Sequence, residues 1–179
     1  MRLDPSEAHG RARDVTLLVL DVDGVLTDGR IEIDSRGRES KRFYIRDGAA
    51  MVWAQRLGLR IGWLSGRPSD VTTRRARELG IGLVVQDGPD KQAGFNRLLE
   101  MAGVPETAVA YMGDDLLDLP VLLRARLSAA PADAVEEVLE QAHWVSAHAG
   151  GRGAVRELIE LLLRASERWH QVMEMFRPR

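Results

Sequence analysis

The chain has 179 residues, 45% of them apolar and 29% charged, enough to bury one ordinary core but not two. A formal net charge of -2 removes the usual electrostatic drive toward nucleic acid or an acidic membrane surface. There is no cysteine, which excludes disulfides, thiolate nucleophiles and sulfur-ligated metals and leaves oxygen or imidazole to hold any metal.

Residues 1–14 mix both charge signs without an apolar run and are expected to be a flexible tail. No stretch approaches the roughly 18 apolar residues that span a bilayer, so the expectation is a cytoplasmic protein without membrane contact. Residues 15–20 form a continuous apolar run, the pattern of a strand buried on both faces. Residues 30–34 and 39–44 flank the turn-former Ser35-Arg36-Gly37-Arg38, predicting a β-hairpin over about 29–44.

Beyond the hairpin, helical patterns over 48–57, 69–79, 91–101 and 116–125 alternate with apolar runs over 59–64, 81–85 and 108–112. Gly58, Gly80 and Gly103 each follow a predicted helix, where a left-handed residue closes the last turn. Residues 132–141 and 154–169 complete the helices, and 170–179 are expected to be a tail. The alternation predicts one α/β domain over 15–169, a three-layer doubly wound parallel sheet.

In such a sheet, ligands bind beyond the carboxyl ends of the strands. The four apolar runs lead into Asp21 and Asp23, Ser65-Gly66-Arg67, a loop reaching Lys91, and Gly113-Asp114-Asp115. Converging carboxylates without histidine make a hard oxygen cage that suits Mg²⁺. A lysine, a serine hydroxyl and helix N-terminal N–H groups suit phosphate. With an acid able to attack phosphorus, these parts point to phosphoryl transfer through an aspartyl-phosphate. Taken singly, each has a plainer role: Asp114 and Asp115 can cap the next helix, Ser65 its own turn, and Lys91 can be a solvated helix residue. Their succession along four strand ends favours a site. The four histidines show no metal-binding spacing.

Asp21-Val22-Asp23-Gly24-Val25, Ser65-Gly66-Arg67, Lys91 and Gly113-Asp114-Asp115 resemble the four ordered motifs of the haloacid dehalogenase-like phosphatase superfamily. Val25-Leu26-Thr27-Asp28-Gly29, Arg46-Asp47-Gly48 and the run Gly150-Gly151-Arg152-Gly153-Ala154-Val155-Arg156-Glu157 resemble its branch acting on 3-deoxy-D-manno-octulosonate 8-phosphate in lipopolysaccharide sugar synthesis. The resemblance implies a Rossmann-like core with the hairpin as its flap and no cap domain. It implies Asp21 as nucleophile and magnesium ligand, and Asp23 as general acid and base with its backbone carbonyl facing the metal. Asp114 completes the metal's ligands, Asp115 orients them from behind, and Ser65 and Lys91 hold the phosphate; Asp118, four residues after Asp114 at helical spacing, is either a second acid behind them or an exposed one. Asp23 is expected to carry the raised pKa, while Asp21 stays ionised beside Mg²⁺ and Lys91.

Thr27, Arg46, Gly66, Arg67 and Arg152 are expected at the substrate end, with Arg152 open to serving a neighbouring subunit. A capless site needs walls, so the resemblance implies a homotetramer whose hairpins and C-terminal segments enclose adjacent sites. Arg67 stands where relatives acting on nonulosonate 9-phosphates usually have glutamate, which favours the octulosonate. The alternatives are a phosphatase of a nonulosonate or other small sugar phosphate, and a non-catalytic tetramerisation module like those attached to sugar-nucleotide synthetases.

Overall fold

The computed structural model describes residues 3–177. The first apolar run forms β1 (Leu17–Leu20), and the hairpin follows as β2 (Glu32–Ile33) and β3 (Glu39–Ser40), antiparallel with Glu32 opposite Ser40. Next come α2 (Ile45–Arg56), β4 (Arg60–Leu64), α3 (Asp70–Glu78), β5 (Leu83–Val85), α4 (Lys91–Ala102) and β6 (Val109–Met112), with α1 (Pro5–Arg13) preceding them all. Gly58, Gly80 and Gly103 all have positive φ, as their places after helices predict.

β1 pairs in parallel with β4 on one side and β6 on the other. The chain builds outward from β1 through β4 to β5, then crosses back to place β6 against β1. The strand order therefore reverses at β1 and β6, whose carboxyl ends form the crevice where such sheets bind ligands. Leu18 and Leu20 face a core with α2 and α7 (Ala154–Ala165), while Leu17 and Val19 face a second core with Phe95 and Leu98 of α4. All four are fully buried, at roughly 1.5–3 kcal/mol apiece, which anchors a strand that must end in two acids. The expected three-layer parallel sheet without a cap domain is the fold that forms.

Several expectations are corrected. The sheet has two further strands, β7 (Leu127–Ala130) and β8 (Trp144–Val145), giving the order β5-β4-β1-β6-β7-β8. Leu-Ser-Ala-Ala has little intrinsic strand preference and is held by burial beside β6. Residues 5–13 are not a tail but α1, opened by an Asp4 capping box with Glu7 and seated against α7 through the buried Ala8 and Ala12. The predicted helix over 154–169 stops at Ala165, turns through Glu167 at positive φ, and resumes as α8 (Trp169–Met175). Most of the expected C-terminal tail is therefore helical, with Val172 buried; Pro178 and Arg179, like Met1 and Arg2, lie outside the described residues. Residues 116–125 form a 3₁₀ turn and the short α5 (Leu119–Leu122), and α6 (Glu136–Gln141) starts four residues later than predicted.

Candidate active site

The backbone delivers each motif to the same edge. Asp21 follows β1 and its N–H still bonds Met112 of β6 at 3.0 Å, while the Ser65 N–H bonds Val85 of β5 at 2.9 Å. Lys91 opens α4 after an Asp90 N-cap, and Asp114 lies two residues past β6. Together with Asp23, Gly66, Arg67, Asp115 and Asp118 they line one open cleft of about 280 Å³, room for a phosphoryl group and a small sugar rather than a polymer.

Asp21, Asp114 and Asp118 bring one carboxylate oxygen each within 4.8 Å of the others. Lys91 Nζ reaches Asp21 Oδ1 at 2.6 Å and Asp118 Oδ1 at 2.5 Å. The buried Tyr111 hydroxyl donates to the same Asp118 oxygen, and Asp118 Oδ2 accepts the N–H groups of Asp114 and Asp115 at 2.9 and 3.1 Å. Asp118 therefore has both oxygens engaged by the protein. Asp114 Oδ1, by contrast, is buried without a partner. A buried acceptor left unmet is costly, and a hard cation between Asp21 and Asp114 would meet it. The residues present thus fit a divalent metal.

Burial, with Asp118 nearby, raises the Asp21 pKa to about 7 against the pull of Lys91. Burial together with Asp21 raises Asp114 to about 8. Asp21 is expected to stay ionised beside Mg²⁺ and Lys91 together; without a cation, Lys91 alone must offset three clustered acids, and the Asp21 pKa rises. Burial pulls Lys91 down, yet Asp21 and Asp118 outweigh it and the net shift is upward.

Asp23 stands outside this triangle. Lys41, one residue past β3, places Nζ 2.8 Å from Asp23 Oδ1 and donates to Oδ2 at 2.9 Å. Two residues earlier, Glu39 accepts from Ser69 Oγ at 2.7 Å and pairs with Arg67 Nη2 at 2.7 Å. The Arg67 and Ser69 hydrogen bonds hold the Glu39 carboxyl down at about 2, the Arg67 bond being the larger cause. Sequence reasoning missed Glu39 and Lys41. Their i, i+2 spacing on a strand, which puts an acid and a base on one face, was the available signal.

Other expected residues fall elsewhere. Thr27 is fully buried, and its Oγ1 accepts the N–H groups of Gly24 and Gly29, so it shapes the loop after β1 instead of facing the cleft. Arg46 and Arg152 line a separate cavity of about 190 Å³ with Tyr44 and His148, because α2 and α7 begin side by side on the far side of that loop. Asp115 is an exposed cap that accepts the Leu116 N–H, and it is Asp118 that organises the acids. Ser65 lines the cleft, with its hydroxyl bonded to Arg67 of its own turn.

Two glycines make the crowding possible. Gly24 has φ +96°, and a Cβ there would lie 2.0 Å from Asp114 Oδ2. Gly150 abuts the same loop from the C-terminal side, where a Cβ would lie 1.6 Å from the Gly24 carbonyl oxygen; the Gly151 N–H bonds Val25 O at 2.9 Å. Asp47 Oδ1 accepts the Arg156 N–H at 2.8 Å and fixes the start of α7 behind this brace.

With acids, lysine and glycine turn at the switch point of a parallel sheet, the chain belongs to the haloacid dehalogenase-like hydrolase family, whose model matches residues 65–159. Within it, the chain is 41% identical over 160 residues to the 3-deoxy-D-manno-octulosonate 8-phosphate phosphatase KdsC of Escherichia coli K12, covering 89% of this chain and 85% of that protein. The Yersinia pestis phosphatase of the same name superposes with a TM-score of 0.89 at 38% identity, over 92% of this chain and 89% of that one. The Moraxella catarrhalis phosphatase, solved with magnesium, phosphate and KDO, superposes with a TM-score of 0.93 at 33% identity, over 96% and 99%.

Proposed function

We propose that the protein is a Mg²⁺-dependent phosphatase that hydrolyses 3-deoxy-D-manno-octulosonate 8-phosphate through a phosphoaspartate at Asp21, in cytoplasmic lipopolysaccharide sugar synthesis. The observation that carries it is the Asp21, Asp114 and Lys91 cluster, with its unpartnered Asp114 oxygen, at the reversal of the strand order. The similarity to the octulosonate phosphatases supports the substrate.

An Asp21 oxygen attacks phosphorus as the bond from phosphorus to the sugar oxygen breaks, and Asp23 gives that oxygen a proton. Asp23 then takes a proton from the water that cleaves the acyl phosphate, returning Asp21 and releasing phosphate. Lys91 and the Ser65-Gly66 turn hold the phosphoryl oxygens, and Arg67 at the rim meets the anionic sugar acid. Mg²⁺, held by Asp21, Asp114 and the Asp23 backbone carbonyl, would neutralise phosphoryl charge. Copies of the chain, assembled as a homotetramer, wall the open cleft, and Arg46 and Arg152 serve neighbouring sites.

Purified protein is expected to release phosphate from the octulosonate ester in Mg²⁺, to stop in EDTA, and to lose turnover in Asp21→Asn. Full activity in that variant, or preference for a nonulosonate 9-phosphate by kcat/KM, would overturn the mechanism or the substrate respectively.

A further inference from the structure

The hairpin could be a passive flap, but its inward face carries two charged side chains wired into two different motif loops. Glu39 ties it to Arg67 and Ser69 after β4. Lys41 ties it to Asp23 after β1, and also donates to Thr72 Oγ1 of α3 at 3.3 Å. The Lys41 side chain is 0% exposed, whereas that of Asp23 is 23% exposed and faces the cleft. The lysine therefore holds the carboxyl group from behind, by a hydrogen bond to Oδ2 and with its charge 2.8 Å from the buried Oδ1, while part of the aspartate side chain stays open to the cleft. A partly exposed aspartate without such a grip samples several rotamers, and a displacement of about 1 Å in a proton donor can cost on the order of 10²-fold in rate.

We propose that Lys41 is a positioning residue for Asp23, through which the hairpin holds that carboxyl group where, once protonated, it can pass its proton to the leaving oxygen. The proposal rests on the assignment of Asp23 as general acid above. It carries a selective consequence. A sugar alkoxide is a poor leaving group and needs its proton at the moment the bond to phosphorus breaks, whereas p-nitrophenolate leaves without one. Losing the grip should slow only the first kind of ester.

The test is single-turnover release of the leaving group from the octulosonate ester and from p-nitrophenyl phosphate, in wild type and Lys41→Met. The variant is expected to slow the sugar ester roughly ten- to hundredfold and the aryl ester less than about threefold. Because the chain has no other cysteine, Lys41→Cys alkylated with 2-bromoethylamine while unfolded, then refolded, regains an ammonium at this one place. That protein should recover most of the lost sugar-ester rate, which mere repair of packing by a methionine would not. Equal losses on both esters, no loss on either, or no recovery on aminoethylation would overturn the proposal while wild-type turnover stands. Wild type inert toward both esters would remove the assignment of function, and the proposal with it.

Discussion

Tyr111 shows how far the acid cluster reaches into the core. Its ring packs edge-on against Phe95, and its hydroxyl meets Asp118 beneath Lys91. Tyr111→Phe keeps the shape and deletes one buried hydrogen bond, a cost of about 1–2 kcal/mol. A melting temperature a few degrees lower, with kcat reduced more than KM, is the expected outcome of calorimetry and steady-state kinetics. The cluster also predicts a pH effect. Asp21 and Asp114 titrate in the folded metal-free protein at about 7 and about 8, above ordinary carboxylate values. Their folded forms hold protons that the unfolded chain has already released, so metal-free stability should fall as pH rises from about 4 through 8. A cation that binds the ionised pair should restore it, and Mg²⁺ is expected to raise the melting temperature more at pH 8 than at pH 5.5. Sequence order alone made Asp21, Asp23, Lys91 and Asp114 legible, because each directly follows an apolar run or opens the next helix. Lys41 and Tyr111 were not, since their partners lie 18 and seven residues away and meet them only through the tertiary fold.

Among the elements, the strands built on runs of large apolar residues were readable, while β7 and α1 were not. β7 is made of small residues whose strand character comes from its neighbours. α1 lacks an apolar stripe of large side chains, and only Asp4-Pro5-Ser6-Glu7 marked its start. Asp4→Ala removes that cap, and because α1 covers α7, the loss of about 1 kcal/mol should register in the global unfolding transition. A melt unchanged within error would show that α1 frays independently. Just before α7, Gly150→Ala would drive a methyl group into the Gly24 carbonyl. The loop carrying Asp21 must then shift, and turnover is expected to fall at least tenfold on any phosphate ester, with a melting temperature several degrees lower.

At the scale of the whole molecule, the cleft is open, and Ile31 and Leu117 at its rim are exposed. Arg46 and Arg152 face a different cavity. If copies wall the cleft in the proposed tetramer, dilution is expected to lower specific activity on the octulosonate ester in step with dissociation in sedimentation velocity. Constant activity through dissociation would show that each chain closes its own site. The brace formed by Gly150 and Gly151 has a temporal side as well. A ribosome delivers every acid of the cluster by Asp118, more than thirty residues before the pair of glycines that seats the first of them. The growing chain thus carries every acid of the cluster before it has the part that aligns them.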